Sequence, residues 1–426
     1  MHVDVIILTL AVVMTLGIIA YLFSEKMHIS LVPILMILGL LFGSVLGIIE
    51  RNVAHELFKY VRVFGLTIIL FAEGHNLKWT MLKRHMATIF ILDTAGLFVT
   101  AIVSAFFFSL FFHLPFLVGF LFGSIISATD PATLIPLFKQ HKINENVKTV
   151  LVTESIFNDP LGIVLTSLAI ALLLPQASSA SFIESISHYT TLYPGAVIFF
   201  LYAVGVSILL GLAFGIFGYW FIRVFKLQNF SEIYSLALAF SGFFIGEWLH
   251  ASGYLVATVT GIVLGNHAIF FKRRGFSDVV DNAIIKESHF NEILADFSTI
   301  LIFVLLGASL DLKQLENGTL IAVAVAITVI LFARPLAGLT ILPLKKWTKK
   351  EYLFLSLEGP RGVVPSALAS LPLTLGLTYK DPQMIGWGET ILTATVMTVL
   401  TSVIIETLWM PVLNRKLLKN TLVKKW

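Results

Sequence analysis

The chain has 426 residues, 57% of them hydrophobic and only 13% charged, with a formal net charge of +4 at pH 7. A mean hydropathy of +0.92 excludes an ordinary soluble globular protein, and the dispersal of the basic residues over many short segments gives no stripe for nucleic acid. Cysteine is absent, which excludes disulfides and thiolate metal sites.

Windows of about 20 apolar residues, the length that crosses a ~30 Å hydrocarbon core, predict an all-α integral membrane protein with thirteen transmembrane helices. In chain order the first six lie near 5–23, 31–48, 61–77, 86–112, 116–138 and 147–173. The others lie near 195–221, 232–249, 254–271, 293–310, 319–343, 351–376 and 386–411. Met1-His2-Val3-Asp4 lacks a basic n-region and no small-residue cleavage site precedes Glu25, so the first stretch reads as a span and not as a signal peptide.

The basic residues test that count. Of 29 Lys and Arg, 21 fall after odd-numbered spans or in the tail, among them Lys78, Lys83 and Arg84 after the third and Lys345, Lys346, Lys349 and Lys350 after the eleventh. The other side holds Arg51, Lys59, Lys313 and Lys380. Such alternation is the positive-inside rule at work, and it places the chain in a cell membrane with its N-terminus outside and its C-terminus in the cytoplasm.

Two spans carry helix-breaking sequence: Thr129-Asp130-Pro131 in the fifth, and Glu358-Gly359-Pro360-Arg361-Gly362 with Pro365 in the twelfth. They stand seven spans apart, and an odd offset means opposite orientation. The predicted plan is therefore two inverted six-span repeats, 1–173 and 223–411, whose unwound helices cross near the midplane. A Ser-rich loop (Ala177 to Thr191) and the seventh span fill 174–222, and 412–426 forms a short basic tail. Gly275 to Glu292 reads as an amphipathic connector on the membrane surface. The glycine stripes Gly39, Gly43, Gly47 and Gly211, Gly215 suit close helix packing within the chain.

Charge inside a bilayer is costly, so an acid there marks an ion pathway before it marks structure. In the sixth span, Ser155 and Asp159 are four residues apart, as are Glu154 and Asn158, which puts each pair on one helix face. Asp159 and Ser155 offer a carboxylate and a hydroxyl, Asp130 a second carboxylate, and the break near Thr129 free backbone carbonyls. Together they make an all-oxygen site for a hard cation such as sodium. Glu154 is expected to pair with Arg334, because a buried charge persists only when partnered. Arg361 is expected to offset the negative C-terminal ends of half-helices at the crossing, with Glu358 as its partner. Asp93 and Glu247 read as buried helix-to-helix hydrogen-bond partners. Glu73 lies either in an access funnel or at a water-facing helix end; His289 is either a regulatory titrating group or a surface histidine.

The motifs Ala128-Thr129-Asp130-Pro131-Ala132-Thr133, Glu154-Ser155-Ile156-Phe157-Asn158-Asp159-Pro160, Ala333-Arg334-Pro335 and Glu358-Gly359-Pro360-Arg361-Gly362-Val363-Val364-Pro365 resemble, in order and over nearly the whole chain, the NhaP-type sodium/proton antiporters of the monovalent cation:proton antiporter-1 family. The resemblance implies a non-enzymatic exchanger without cofactor, moving Na+ or Li+ against H+ by alternating access. It further implies a homodimer with an ion-carrying bundle of spans 4–6 and 11–13, the remaining spans holding the partner copy. It assigns the cation or proton to Asp159 with help from Asp130, Ser155 and the Thr129 backbone, electroneutral 1:1 exchange to the Asn158-Asp159 order, and a polar path to Glu73 and His289. A potassium/proton exchanger of the same plan stays open. An intramembrane aspartyl protease, also built on two acids, is disfavoured because its Gly-x-Gly-Asp element is missing.

Overall fold

In the computed structural model, which describes residues 3–27, 29–141, 143–174, 192–227, 230–270 and 277–418, every regular element is helical. Hydrocarbon offers no water to backbone N–H and C=O groups, so an apolar chain satisfies them within each segment by forming helix. The helices are α1 (Val3–Met27), α2 (Leu31–Leu40), α3 (Arg51–Asn76), α4 (Trp79–Ile91), α5 (Leu97–Phe112), α6 (Phe116–Ile126), α7 (Pro131–His141) and α8 (Glu145–Leu173). They continue as α9 (Leu192–Phe225), α10 (Ser231–Trp248), α11 (Gly253–Gly265), α12 (His267–Phe270) and α13 (Ser277–Ser309). Last come α14 (Leu312–Thr328), α15 (Arg334–Leu339), α16 (Lys349–Leu357), α17 (Val363–Leu368), α18 (Leu371–Tyr379) and α19 (Pro382–Leu413).

Seven helical runs among the described residues are long and apolar enough to cross a membrane: Val3–Met27, Trp79–Phe112, Glu145–Leu173, Pro194–Phe225, Ala283–Ser309, Gly318–Leu344 and Pro382–Leu418. An eighth is the pair Phe116–Ile126 and Pro131–Phe138, bent by 42° across the break that holds Asp130. Shorter apolar helices occupy Leu31–Val45, Gly253–Gly265 and Val363–Tyr379. Among the described residues four π-turns widen the helices locally, at Asn414–Leu418, Leu41–Val45, Leu92–Gly96 and Val329–Ala333. The last two carry Asp93 and lead into Arg334.

The chain divides into two compact units, one of Met1–Arg62, His85–Gly162 and Ile300–Trp426, the other of Val63–Arg84 and Ile163–Thr299. In the first, α6 lies so close to α5 that a Cβ on Gly119 or Gly123 would strike the Ala105 or Ala101 carbonyl. Phe108 and Phe122 stack across the same seam at 4.4 Å. Gly39 meets the Val304 backbone and Gly43 lies against Ala308. In the second unit, Gly211 and Gly215 admit Val259 and Val263 of α11, while Gly74 meets Thr258. Both glycine stripes thus serve packing inside the chain, with Gly47 apart at φ +66° and nothing within 4 Å of its Cβ position.

Three expectations are corrected. The connector assigned to Gly275 to Glu292 is the start of α13, one continuous helix from Ser277, because Glu287 and Asn291 on its inner face are buried. Glu247 is exposed and accepts a hydrogen bond from Gly253 N at 2.9 Å, capping α11 instead of bridging buried helices. The last span runs helically through Leu418, beyond the expected end at 411. The Ser-rich stretch Ala177 to Thr191, Lys272, Arg273, Arg274 and the end of the basic tail lie outside the described residues.

Candidate functional site

The first unit brings the two sequence breaks into contact. Between α6 and α7 the chain is extended at Ala128 to Asp130, where Pro131 opens the next helix; between α16 and α17 it is extended at Glu358 to Gly362. Asp130 N donates to Pro360 O at 2.8 Å, joining one break to the other. The Asp130 carboxylate accepts from Thr133 N at 2.9 Å and from the Thr133 hydroxyl, capping α7. It also lies close to the N–H of Val363, the first residue of α17. One buried carboxylate thus sits at the positive ends of two half-helices. Gly362 makes room for it, since a Cβ there would overlap the Asp130 carboxyl group.

Arg361 serves the opposite pole. Its Nη1 donates to Ser127 O and Ala128 O, both at 3.1 Å, at the negative C-terminal end of α6. Its backbone N donates to Ser402 Oγ of α19 at 3.1 Å. Glu358 is not its partner: Arg361 turns toward the carbonyls because the break leaves them without helical donors.

Thr129 is held by α8. Asn158 Oδ1 accepts from Thr129 N at 2.9 Å and Asn158 Nδ2 donates to Thr129 Oγ1 at 2.7 Å. Ser155 Oγ lies 2.9 Å from the same hydroxyl and donates to Leu151 O at 2.9 Å. Asp159, which follows Asn158, is 3% exposed. Pro160 follows inside the helix and offers no N–H to the Ile156 carbonyl. Thr129, Asp130, Ser155 and Asn158 are therefore gathered at one break, with Asp159 buried one residue beyond Asn158 on α8, and their oxygen donors are of the kind that suits a small hard cation.

Glu154, one residue before Ser155, faces the other way. Its Oε1 bonds Arg334 Nη1 and its Oε2 accepts from Nη2 at 2.9 Å, a two-pronged ion pair with both residues 5% exposed or less. Arg334 Nε donates to Glu358 O at 2.7 Å and Nη2 to Leu355 O at 3.2 Å, tying the pair to the end of α16. Asp93, in its π-turn, is buried and feels both charges.

Sequence reasoning missed Glu406 on α19. It is buried, its Oε2 accepts from Gly359 N at 3.1 Å, and its carboxyl group lies against that of Glu358. The intramembrane-acid rule that singled out Asp159 would have found it. Glu73, half-buried on α3, and His289, exposed on α13, belong to the second unit.

The family model described as "Sodium/hydrogen exchanger, transmembrane" matches residues 10–416. Na(+)/H(+) antiporter 1 of Methanocaldococcus jannaschii is 35% identical over 436 residues, 96% of this chain and 95% of that one. Probable Na(+)/H(+) antiporter 2 of the same organism is 34% identical over 418 residues, 93% of each. The K(+)/H(+) antiporter NhaP2 of Shewanella oneidensis is 29% identical over 83% of this chain and 58% of its own length. The solved structure of the sodium proton antiporter MjNhaP1 from M. jannaschii at pH 8 superposes with a TM-score of 0.87 at 32% identity, covering 98% of this chain and all of that one.

Proposed function

Because this chain belongs to the transmembrane sodium/hydrogen exchanger family, we propose that it exchanges Na+ for H+ across the membrane as a secondary active transporter, with Asp159 as the group over which the two cations compete. The family is one of transporters and not of enzymes. The observation that supports the site is the joined pair of helix breaks, with Asp130 buried there, Thr129 fastened to α8 by Asn158, and Asp159 the buried residue that follows Asn158.

A carboxylate removed from water is unstable as a bare anion, so it binds a proton or a metal cation. Sodium would be held by Asp159 and Ser155 with Asp130 and the Thr129 backbone completing an oxygen shell. The proton would occupy Asp159 in its place. If the ion-carrying spans cross only when Asp159 is neutralised, each turnover trades one cation for one proton, an electroneutral 1:1 exchange. Alternating access is then a shift between two conformations that each open to one side. Li+ fits the same shell. The Glu154–Arg334 pair would hold the framework without touching the ion. Spans 4–6 and 11–13 would carry the ion and the remaining spans would bind a second copy, giving a homodimer with its N-termini outside and C-termini in the cytoplasm. Glu73 and His289 are assigned to the access path.

Proteoliposomes loaded with a pH-reporting dye and given external NaCl test this directly. Wild-type protein should make the lumen alkaline with a saturable dependence on Na+. Asp159→Asn should fold and remain silent, and normal exchange by that variant would remove Asp159 from its role. Relatives named as K(+)/H(+) antiporters supply the second reading. A response to KCl with none to NaCl decides for it.

A further inference from the structure

The second unit holds a buried acid for which the exchange site has no use. Glu287 on α13 is fully buried, and neither carboxylate oxygen has a hydrogen-bond partner. Facing it is His75, near the end of α3, which is 6% exposed. His75 Nε2 lies 3.8 Å from Glu287 Oε1, outside hydrogen-bonding range, and has no other partner. The neighbouring cation, Lys286, is engaged by Glu232 at 2.8 Å.

The two side chains are held face to face. Asn76 Nδ2 donates to Glu292 Oε1 at 2.8 Å and Ser288 Oγ to Asn76 Oδ1 at 3.1 Å, locking the end of α3 to α13 just past Glu287. Behind His75, a Cβ on Gly265 of α11 would strike its carbonyl oxygen, so the backbone there has no room to withdraw. The walls are apolar: Phe71 and Leu264 on one side, Ala283 and Ile284 on the other, with the rings of Tyr219 and Tyr234 packed against them.

An uncompensated carboxylate in such surroundings costs several kcal/mol. A single proton removes the problem, either as a carboxylic acid beside neutral imidazole or as a carboxylate beside imidazolium. With none the pair leaves a buried anion, and with two a buried cation. We propose that His75 and Glu287 form a second proton-binding site of this protein, holding one proton between them, whose loss loosens α3 from α13 and sets the alkaline limit of exchange. The other titratable groups facing the pair are Tyr234 of α10, His267 of α12, and Glu232 of α10, the last engaged with Lys286. None of them supplies a fixed positive charge to Glu287.

The functional arm of the test rests on the exchange reading; the stability arm does not. In proteoliposomes, Glu287→Gln needs no proton at this place. It should match the wild-type maximal rate within about two-fold and stay active at least about half a pH unit further into the alkaline range. The melting temperature of the purified variant should fall less from neutral to alkaline pH than that of wild type. Where Glu287→Gln does not accumulate, His75→Gln removes the other half of the pair and must also move the profile by about half a unit. Profiles that superimpose on wild type overturn the proposal. So does a wild-type alkaline limit that moves with Na+ concentration at fixed pH in a way Glu287→Gln abolishes, which would make the site one for sodium. If wild type does not exchange at all, the exchange reading fails by itself, and an identical pH dependence of melting in wild type and Glu287→Gln overturns this one.

Discussion

Asn158 holds Thr129 by its backbone N–H and by its hydroxyl, and Ser155 reaches the same hydroxyl, so the break at Asp130 is fastened to α8 chiefly through the Asn158 amide. Asn158→Ala leaves a buried N–H and a buried hydroxyl without those partners, a penalty of about 1–3 kcal/mol. The expected outcome is an Na+ requirement for half-maximal exchange raised about ten-fold, read from the dye response against Na+ concentration. Glu154→Ala acts differently: it strands Arg334 inside the protein, which costs about 3–5 kcal/mol when a buried pair is broken. Tryptophan-fluorescence melting should show a clear loss of stability, and a variant as stable as wild type contradicts a structural role for the pair. At this scale the sequence was informative wherever an ionisable residue interrupted an apolar run, because the bilayer makes such a residue expensive. It was uninformative about partners. Nothing in the spacing turns Arg361 toward the Ser127 and Ala128 carbonyls and away from Glu358, or sets Glu358 beside Glu406.

The half-helices α7 and α17 begin at a common carboxylate, and their geometry tolerates no atom between them. Gly362→Ala would drive a methyl group into Asp130. It should cost at least about 1–3 kcal/mol of stability and most of the exchange activity, measured on the same liposomes. Gly386→Ala is the control, since a Cβ there meets nothing within 4 Å; in a helix interior it should be neutral or slightly stabilising. The breaks themselves were legible, because Pro131 and the Gly359-Pro360-Arg361-Gly362 run cannot continue a helix in hydrocarbon without another source of hydrogen bonds. The π-turns at Leu92–Gly96 and Val329–Ala333 were not. Each is one extra residue in a turn, and composition carries no mark of it. The continuity of α13 was misread for a related reason: its first turns are rich in charge, yet Glu287 and Asn291 face inward.

Across the whole molecule, hydrogen bonds within the first unit join ends that the basic-residue pattern assigns to one side. Arg51 Nη1 reaches Asp311 Oδ2 at 2.7 Å, and Asn144 Nδ2 reaches Glu351 Oε1 at 3.4 Å. The natural chain has no cysteine, so single introduced thiols report sidedness without background. His113→Cys, between α5 and α6, should react with a membrane-impermeant maleimide on intact cells; Lys345→Cys, after α15, should react only once the membrane is opened. Labelling in the reverse order would invert the proposed topology.

By itself the sequence determined that this protein lives in a membrane, that it is helical and which two spans are interrupted, because all three follow from the cost of polar groups in hydrocarbon. Only the tertiary structure decided that one break bonds to the other through Asp130 and Pro360, that Thr129 answers to Asn158, and that His75 meets Glu287. Those are contacts between residues far apart along the chain, and packing, not local composition, selects them.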